Sequence, residues 1–132
     1  MRETILVVDD EPANRELLEA ILVEDGYEIV HAENVPRAIQ AIKASSPDLV
    51  LLDLMLPLIH GLDLCRALKQ NVQTANIPII IVTALSETSA KEAAQNRGAE
   101  DYLTKPVQAE DLRARVAAVL KARRSRAQAS LL

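Results

Sequence analysis

Four consecutive aliphatic residues run straight into three acids and a proline in Ile5-Leu6-Val7-Val8-Asp9-Asp10-Glu11-Pro12. The run does not alternate apolar with polar residues, so both of its faces need cover. That is the pattern of a strand inside a parallel sheet sandwiched between helices. Pro12 suits the first turn of a following helix, where a missing N–H costs nothing. The stretch therefore reads as strand, acidic loop, helix.

The same grammar repeats along the chain. Leu49-Val50-Leu51-Leu52 and Ile79-Ile80-Ile81-Val82 are equally uninterrupted, whereas Glu28-Ile29-Val30-His31-Ala32 alternates more and suits a strand nearer an edge. Asp101-Tyr102-Leu103-Thr104 supplies a fifth strand. Between them lie apolar stripes at helical spacing: Leu17, Leu18, Ile21 and Leu22; Val35, Ala38, Ile39 and Ile42 behind an Asn34 cap; Leu64, Cys65 and Leu68; Leu112, Val116, Val119 and Leu120. A further stripe of Ala90, Ala93 and Ala94 offers little area and predicts a weakly held helix, started by Ser86 or by Ser89 with Glu92 as a capping box. Gly26 and Gly98 fall in the C′ position of helices, and Gly61 lies in the loop after the third strand. Five βα units in succession predict a single α/β domain over residues 1–122, an open doubly wound parallel sheet with helices on both faces. Residues 123–132 read as a basic tail, either the last helix running on and fraying or the stub of a linker.

Composition narrows the function. The 132 residues carry a net charge of −4, and Lys121, Arg123, Arg124 and Arg126 fall in the last twelve. Residues 1–120 then hold 11 cations against 19 acids, which argues against a body that grips nucleic-acid phosphates. The tail arginines lack a reading motif and interleaved aromatics, and read as a solvated helix end. Tyr102 and Tyr27 are the whole aromatic complement, too few for a stacking platform. Lone Cys65 excludes an internal disulfide and reads as a small core residue. No apolar run approaches the ~20 residues of a membrane span, and the N-terminus has no signal-peptide core, so a cytoplasmic location is expected.

In an open parallel sheet, ligands bind beyond the carboxyl ends of the strands. The first run ends in Asp9-Asp10-Glu11, the third in Asp53, the fourth in Thr83-Ala84, and the fifth strand in Lys105-Pro106. Singly, each has a plain reading as a turn residue, a strand-end cap or a surface charge. Jointly they predict acids, a hydroxyl and an ammonium at one sheet edge. Crowded carboxylates call for a proton or a divalent cation, and an all-oxygen set with few protein ligands suits Mg²⁺. Lys105 and Thr83 would then complement phosphoryl oxygens.

With these residues in view, the chain over positions 4 to about 122 resembles the receiver domains of two-component response regulators. The likeness rests on Ile5–Pro12, on Asp53-Leu54-Met55-Leu56-Pro57 with Gly61, on Thr83-Ala84, and on Gly98-Ala99-Glu100-Asp101-Tyr102-Leu103-Thr104-Lys105-Pro106. It implies a flavodoxin-like strand order 2-1-3-4-5. Asp53 is then the acceptor of a phosphoryl group from a phosphohistidine. Asp9, Asp10, Asp53 and the Met55 backbone carbonyl hold Mg²⁺, for which Mn²⁺ or Ca²⁺ could substitute. Thr83 and Lys105 bind phosphoryl oxygens, Tyr102 is the switch aromatic, Ala84, Pro106 and Leu85 are accessory, and the Lys105–Pro106 bond is cis. The implied partners are a sensor histidine kinase or phosphotransfer protein and an output domain or downstream protein, with a homodimer left open and no direct nucleic-acid or membrane contact. The domain would be no enzyme beyond its own phosphorylation and dephosphorylation. Pro12-Ala13-Asn14-Arg15 and Leu64–Lys69 also look like receivers fused to cyclic-dinucleotide synthases.

Some positions depart from the pattern. His60 stands where an Asp or Asn is usual and reads as an exposed loop residue rather than a metal ligand; His31 reads as structural. Val107 replaces a common Phe, and Gln108 is a poor helix cap. Met55 and Leu85, each two positions beyond Asp53 and Thr83, flank the path of an attacking water and predict a long-lived phosphoryl group. A flavodoxin-like cofactor module would need a Ser/Thr/Gly-rich first loop, and an aspartyl-phosphate phosphatase an Asp-x-Asp. A degenerate receiver would lack one of the positions present here.

Overall fold

The computed structural model describes residues 2–130. Strands β1 (Thr4–Val8), β2 (Glu28–Ala32), β3 (Leu49–Leu52), β4 (Ile79–Thr83) and β5 (Asp101–Thr104) alternate with helices α1 (Pro12–Val23), α2 (Val35–Ser45), α3 (Gly61–Gln70), α4 (Thr88–Asn96) and α5 (Ala109–Ser130). The sheet is wholly parallel in the order β2-β1-β3-β4-β5. Each strand residue points to the face opposite its neighbour's. Leu6 and Val8 therefore join α2, α3 and α4 in one core, while Ile5 and Val7 join α1 and α5 in another. Two cores explain why the inner strands read as unbroken apolar runs.

Chain direction across the sheet reverses between β1 and β3: α1 carries the chain from β1 toward β2, and α3 carries it from β3 toward β4. With crossovers of one hand, the loops leaving β1 and β3 part to opposite faces and open a crevice at their carboxyl ends. Asp9 and Asp53 stand at its two lips.

Several local expectations shift. Leu17 and Ile39 are exposed. At 100° per residue each falls roughly 40° outside the arc of the buried residues on its helix. Helix α4 starts at Thr88 with Glu87 as its N-cap and no side-chain cap, so neither Ser86 nor Ser89 serves. Its entry loop is tied instead by Tyr102, whose hydroxyl donates to the Leu85 carbonyl at 2.6 Å. Only Ala94 of its alanine stripe is buried. Asn34 does cap α2, accepting from the Arg37 amide at 2.9 Å. Gly26 lies one residue beyond the C′ position of α1, yet still takes a positive φ of 87°. The Gln108 carbonyl accepts the Leu112 amide at 3.0 Å and so opens α5 through its backbone. Helix α5 continues through residue 123 to Ser130. Arg123 pairs with Asp48 at 2.8 Å and Arg124 with Glu3, so these two tail cations bind the body of the domain.

Cys65 lies in the core with its Sγ 3.8 Å from the Arg97 carbonyl oxygen. Burial pushes its thiol up to about 11. We predict that a disulfide reagent at pH 8 leaves the native thiol unlabelled for hours and labels it within seconds after denaturation. Rapid stoichiometric labelling of the native protein would contradict the burial.

Candidate functional site

Asp9 directly follows β1 and is only 2% exposed. Its amide donates to the Ala32 carbonyl at 3.1 Å. Its Oδ1 accepts the Glu11 amide at 2.9 Å. Asp53 follows β3 in the same manner: its amide donates to the Val8 carbonyl at 3.0 Å, and its Oδ1 accepts the Met55 amide at 3.0 Å. Each acid is thus aimed by its own loop while its backbone continues the sheet ladder. Asp10 is exposed beside them.

Lys105, just past β5, reaches across the crevice. Its backbone amide donates to the Thr83 carbonyl at 2.8 Å. Its Nζ donates to Asp9 Oδ2 at 2.7 Å and to Asp53 Oδ2 at 2.8 Å. Burial opposes the ammonium charge, but the hydrogen bonds it donates to Asp53 and Asp9, with their negative charges, outweigh it and hold the Lys105 pKa above its ordinary value. The Lys105–Pro106 bond is cis.

One carboxylate oxygen from each of Asp9, Asp10 and Asp53 lies within 4.8 Å of the others, and neither His60 nor His31 joins this group among the described residues. Hard oxygen donors at this spacing fit a small divalent cation with waters completing its shell. Thr83 ends β4 wholly buried, and its Oγ1 has no hydrogen-bond partner among the described residues. An unpaired buried hydroxyl costs about 1–3 kcal/mol, which a ligand oxygen at this edge would relieve. Tyr102 is half-buried; burial, then the Glu87 and Asp53 charges, raise its pKa. Ala84 and Pro106 are exposed and Leu85 half-buried around this edge.

The histidines lie elsewhere in the scheme. His60 is exposed, as its loop position suggested, and also caps α3, its Nδ1 accepting the Leu62 amide at 3.0 Å. His31 Nε2 lies 2.8 Å from Glu19 Oε1, joining β2 to α1. Two contacts had no local signature. A Cβ built on Gly61 would lie 2.4 Å from the Asp53 carbonyl oxygen and 2.6 Å from the Leu54 Cα. Arg15 Nη1 donates to the Asp9 carbonyl oxygen at 2.5 Å. Gly61, expected in a loop, opens α3 instead; a Gly at a helix start and an Arg on a helix are compatible with many roles, and only the packed backbone distinguishes them.

The response regulator receiver domain family model matches residues 5–117. The chain belongs to this family. The receiver is 45% identical over 119 residues to the phosphate regulon transcriptional regulatory protein PhoB of Pseudomonas aeruginosa, covering 90% of this chain and 52% of that protein. It is 40% identical over 121 residues to the DNA-binding response regulator MtrA of Mycolicibacterium smegmatis, covering 92% and 52%. The receiver therefore spans about half the length of these curated relatives. Among solved structures, a two-component response regulator from Clostridium difficile superposes with a TM-score of 0.85 at 32% identity, covering 91% of this chain and 97% of that one. The receiver is thus a signalling domain of a two-component system rather than a metabolic enzyme. Among its described residues, no helix is long and apolar enough to cross a membrane.

Proposed function

We propose that Asp53 accepts a phosphoryl group from the phosphohistidine of a sensor histidine kinase or phosphotransfer protein. The observation that supports this most directly is Lys105 Nζ held 2.8 Å from Asp53 Oδ2 within a cluster of three acids. An Asp53 carboxylate oxygen attacks phosphorus, the N–P bond of the donor breaks, and its electron pair stays on the imidazole nitrogen, which takes a proton. Lys105 follows the charge onto the phosphoryl oxygens, and Thr83 Oγ1 donates its idle hydroxyl to another. Asp9, Asp10, Asp53 and the Met55 carbonyl would hold Mg²⁺, which supplies neutralisation of charge between acceptor and donor.

The added charge, about −1.5 to −2 in place of one carboxylate charge, draws Thr83 toward the phosphoryl group. Space beside Thr83 then admits the Tyr102 ring, whose hydroxyl leaves the Leu85 carbonyl. Helix α4, anchored by little apolar area, shifts with its entry loop. An output domain or a separate protein reads that change. PhoB and MtrA are named as transcriptional and DNA-binding regulators, so a DNA-binding effector is one class of output.

The test is incubation with a small acyl phosphate, followed by intact mass. One phosphoryl group is expected with Mg²⁺, none without it, and none in Asp53→Asn. Uptake retained in that variant would move the acceptor elsewhere.

The apolar side chains of Met55 and Leu85 line the approach of a hydrolytic water, and Met55 is 54% exposed. Replacing Met55 by Asn and Leu85 by Gln together is expected to shorten the phosphoryl lifetime by about tenfold, less than the ~10²–10⁴-fold of a positioned general acid or base because an amide only orients the water. An unchanged decay in a time course of intact mass would refute the shielding role.

A further inference from the structure

Arg15 stands in the first turn of α1, where the helix dipole disfavours a cation. Helix electrostatics therefore give no reason for its placement. Its guanidinium nevertheless turns back onto the acid cluster, with Nη1 on the Asp9 carbonyl oxygen and a buried Nε that has no partner among the described residues. Asp9 does not need this bond for its position. Its amide is held by Ala32, its Oδ1 by Glu11 and its Oδ2 by Lys105. What Arg15 adds to an already fixed acid is positive charge in a half-buried setting.

We propose that Arg15 is a positioning residue that acts on the acid site by its charge, biasing the site against a divalent cation alone and toward the cation together with a phosphoryl group. The inference rests on the acceptor reading of Asp53. The Arg15 guanidinium and a divalent cation among Asp9, Asp10 and Asp53 carry charge of the same sign, so Arg15 opposes binding of the cation alone. Phosphorylation of Asp53 then brings the added anion of the phosphoryl oxygens, which Arg15 attracts. A single fixed charge thus weakens the first step and strengthens the second. A side chain that merely held Asp9 in place would favour both.

The opposite signs provide the test. Mg²⁺ is titrated into the unphosphorylated protein and followed by amide chemical shifts. Beryllofluoride, a phosphoryl mimic that binds the acceptor carboxylate, is then titrated at saturating Mg²⁺. Arg15→Gln, which removes the charge and keeps an amide donor, is expected to bind Mg²⁺ roughly tenfold tighter and beryllofluoride roughly tenfold weaker. Arg15→Lys keeps the charge and is expected to stay near wild type in both titrations. Shifts of the same sign in Arg15→Gln, or no shift, overturn the role of Arg15. Failure of the wild type to take up beryllofluoride overturns the acceptor reading of Asp53, while the Mg²⁺ titration still reports on Arg15.

Discussion

Gly61→Ala is expected to destabilise the receiver by about 3 kcal/mol, the upper range for overpacking a tight site. The added Cβ would lie 2.4 Å from the Asp53 carbonyl oxygen, 2.6 Å from the Leu54 Cα and 3.1 Å from the Asp53 carbonyl carbon. All three are backbone atoms, so no side chain can swing aside. The α3 terminus must back away, which breaks the bond from the Gly61 amide to the Leu54 carbonyl at 2.8 Å, or the Asp53 backbone must move. Either response disturbs the proposed acceptor, and phosphoryl uptake should slow along with the fall in stability. In a domain of this size the cost corresponds to roughly 10 °C in melting temperature. Gly26→Ala provides the comparison. Its built Cβ meets nothing within 4 Å, so only the positive φ of 87° is penalised, at about 1–2 kcal/mol. Equal melting temperatures for the two variants would show that the close approach at Gly61 is relaxed at little cost.

Lys105→Met is expected to cost about 3 kcal/mol of stability at neutral pH without Mg²⁺. The Asp9 and Asp53 side chains are 2% and 7% exposed and both bond the one ammonium. Removing it leaves two desolvated carboxylates facing each other, and breaking one partner from a buried ion cluster costs about 3–5 kcal/mol. The lower end applies because the lysine itself is 19% exposed. A divalent cation should substitute for the lost charge, so Mg²⁺ should raise the melting temperature of Lys105→Met more than that of the wild type. Phosphoryl uptake should fall by about 10²-fold, the typical loss of one preorganised charge at a reacting oxygen. The pH dependence has a definite sign. Because Lys105 has its pKa raised above 10.5, the stability it contributes is intact below that value and is lost as pH climbs through the raised one. The wild type should show this alkaline loss and Lys105→Met should not. Thermal melts with and without Mg²⁺ check both statements, and a variant as stable as the wild type without Mg²⁺ would mean that the acids are not coupled through Lys105.

Neighbouring residues in the chain account for what was legible early. Ile5–Val8 and Ile79–Val82 are short, rich in β-branched residues and apolar at every position, as a strand buried on both faces requires. Asn34 announces α2 through a bond three residues long. The acids after β1 and β3 and the lysine after β5 stand at strand ends, and parallel strands bring their carboxyl ends to one side. Their arrival at one edge of the sheet follows from periodicity together with chain order.

Other features escaped because they depend on elements far apart in the chain. Leu17 and Ile39 carry the same apolar signal as their buried neighbours, but the arc each helix presents to the sheet is narrower than its stripe. The entry to α4 bears two serines able to cap it, while the observed tie comes from Tyr102 on β5. The basic residues of the tail read as solvated, yet Arg123 and Arg124 meet acids more than 70 residues away.

Local pattern thus determined which segments are strands, which are helices, and which chemical groups crown the sheet, since each depends on side-chain periodicity and on residues a few positions apart. Tertiary structure alone decided how close the groups come: the ammonium of Lys105 between two carboxylates, the space at Gly61 that excludes even a methyl group, and the guanidinium of Arg15 against Asp9. Those are distances between backbones that meet only when the layers close. A difference of one ångström there separates a hydrogen bond from a clash, and residue type and order do not encode it on that scale.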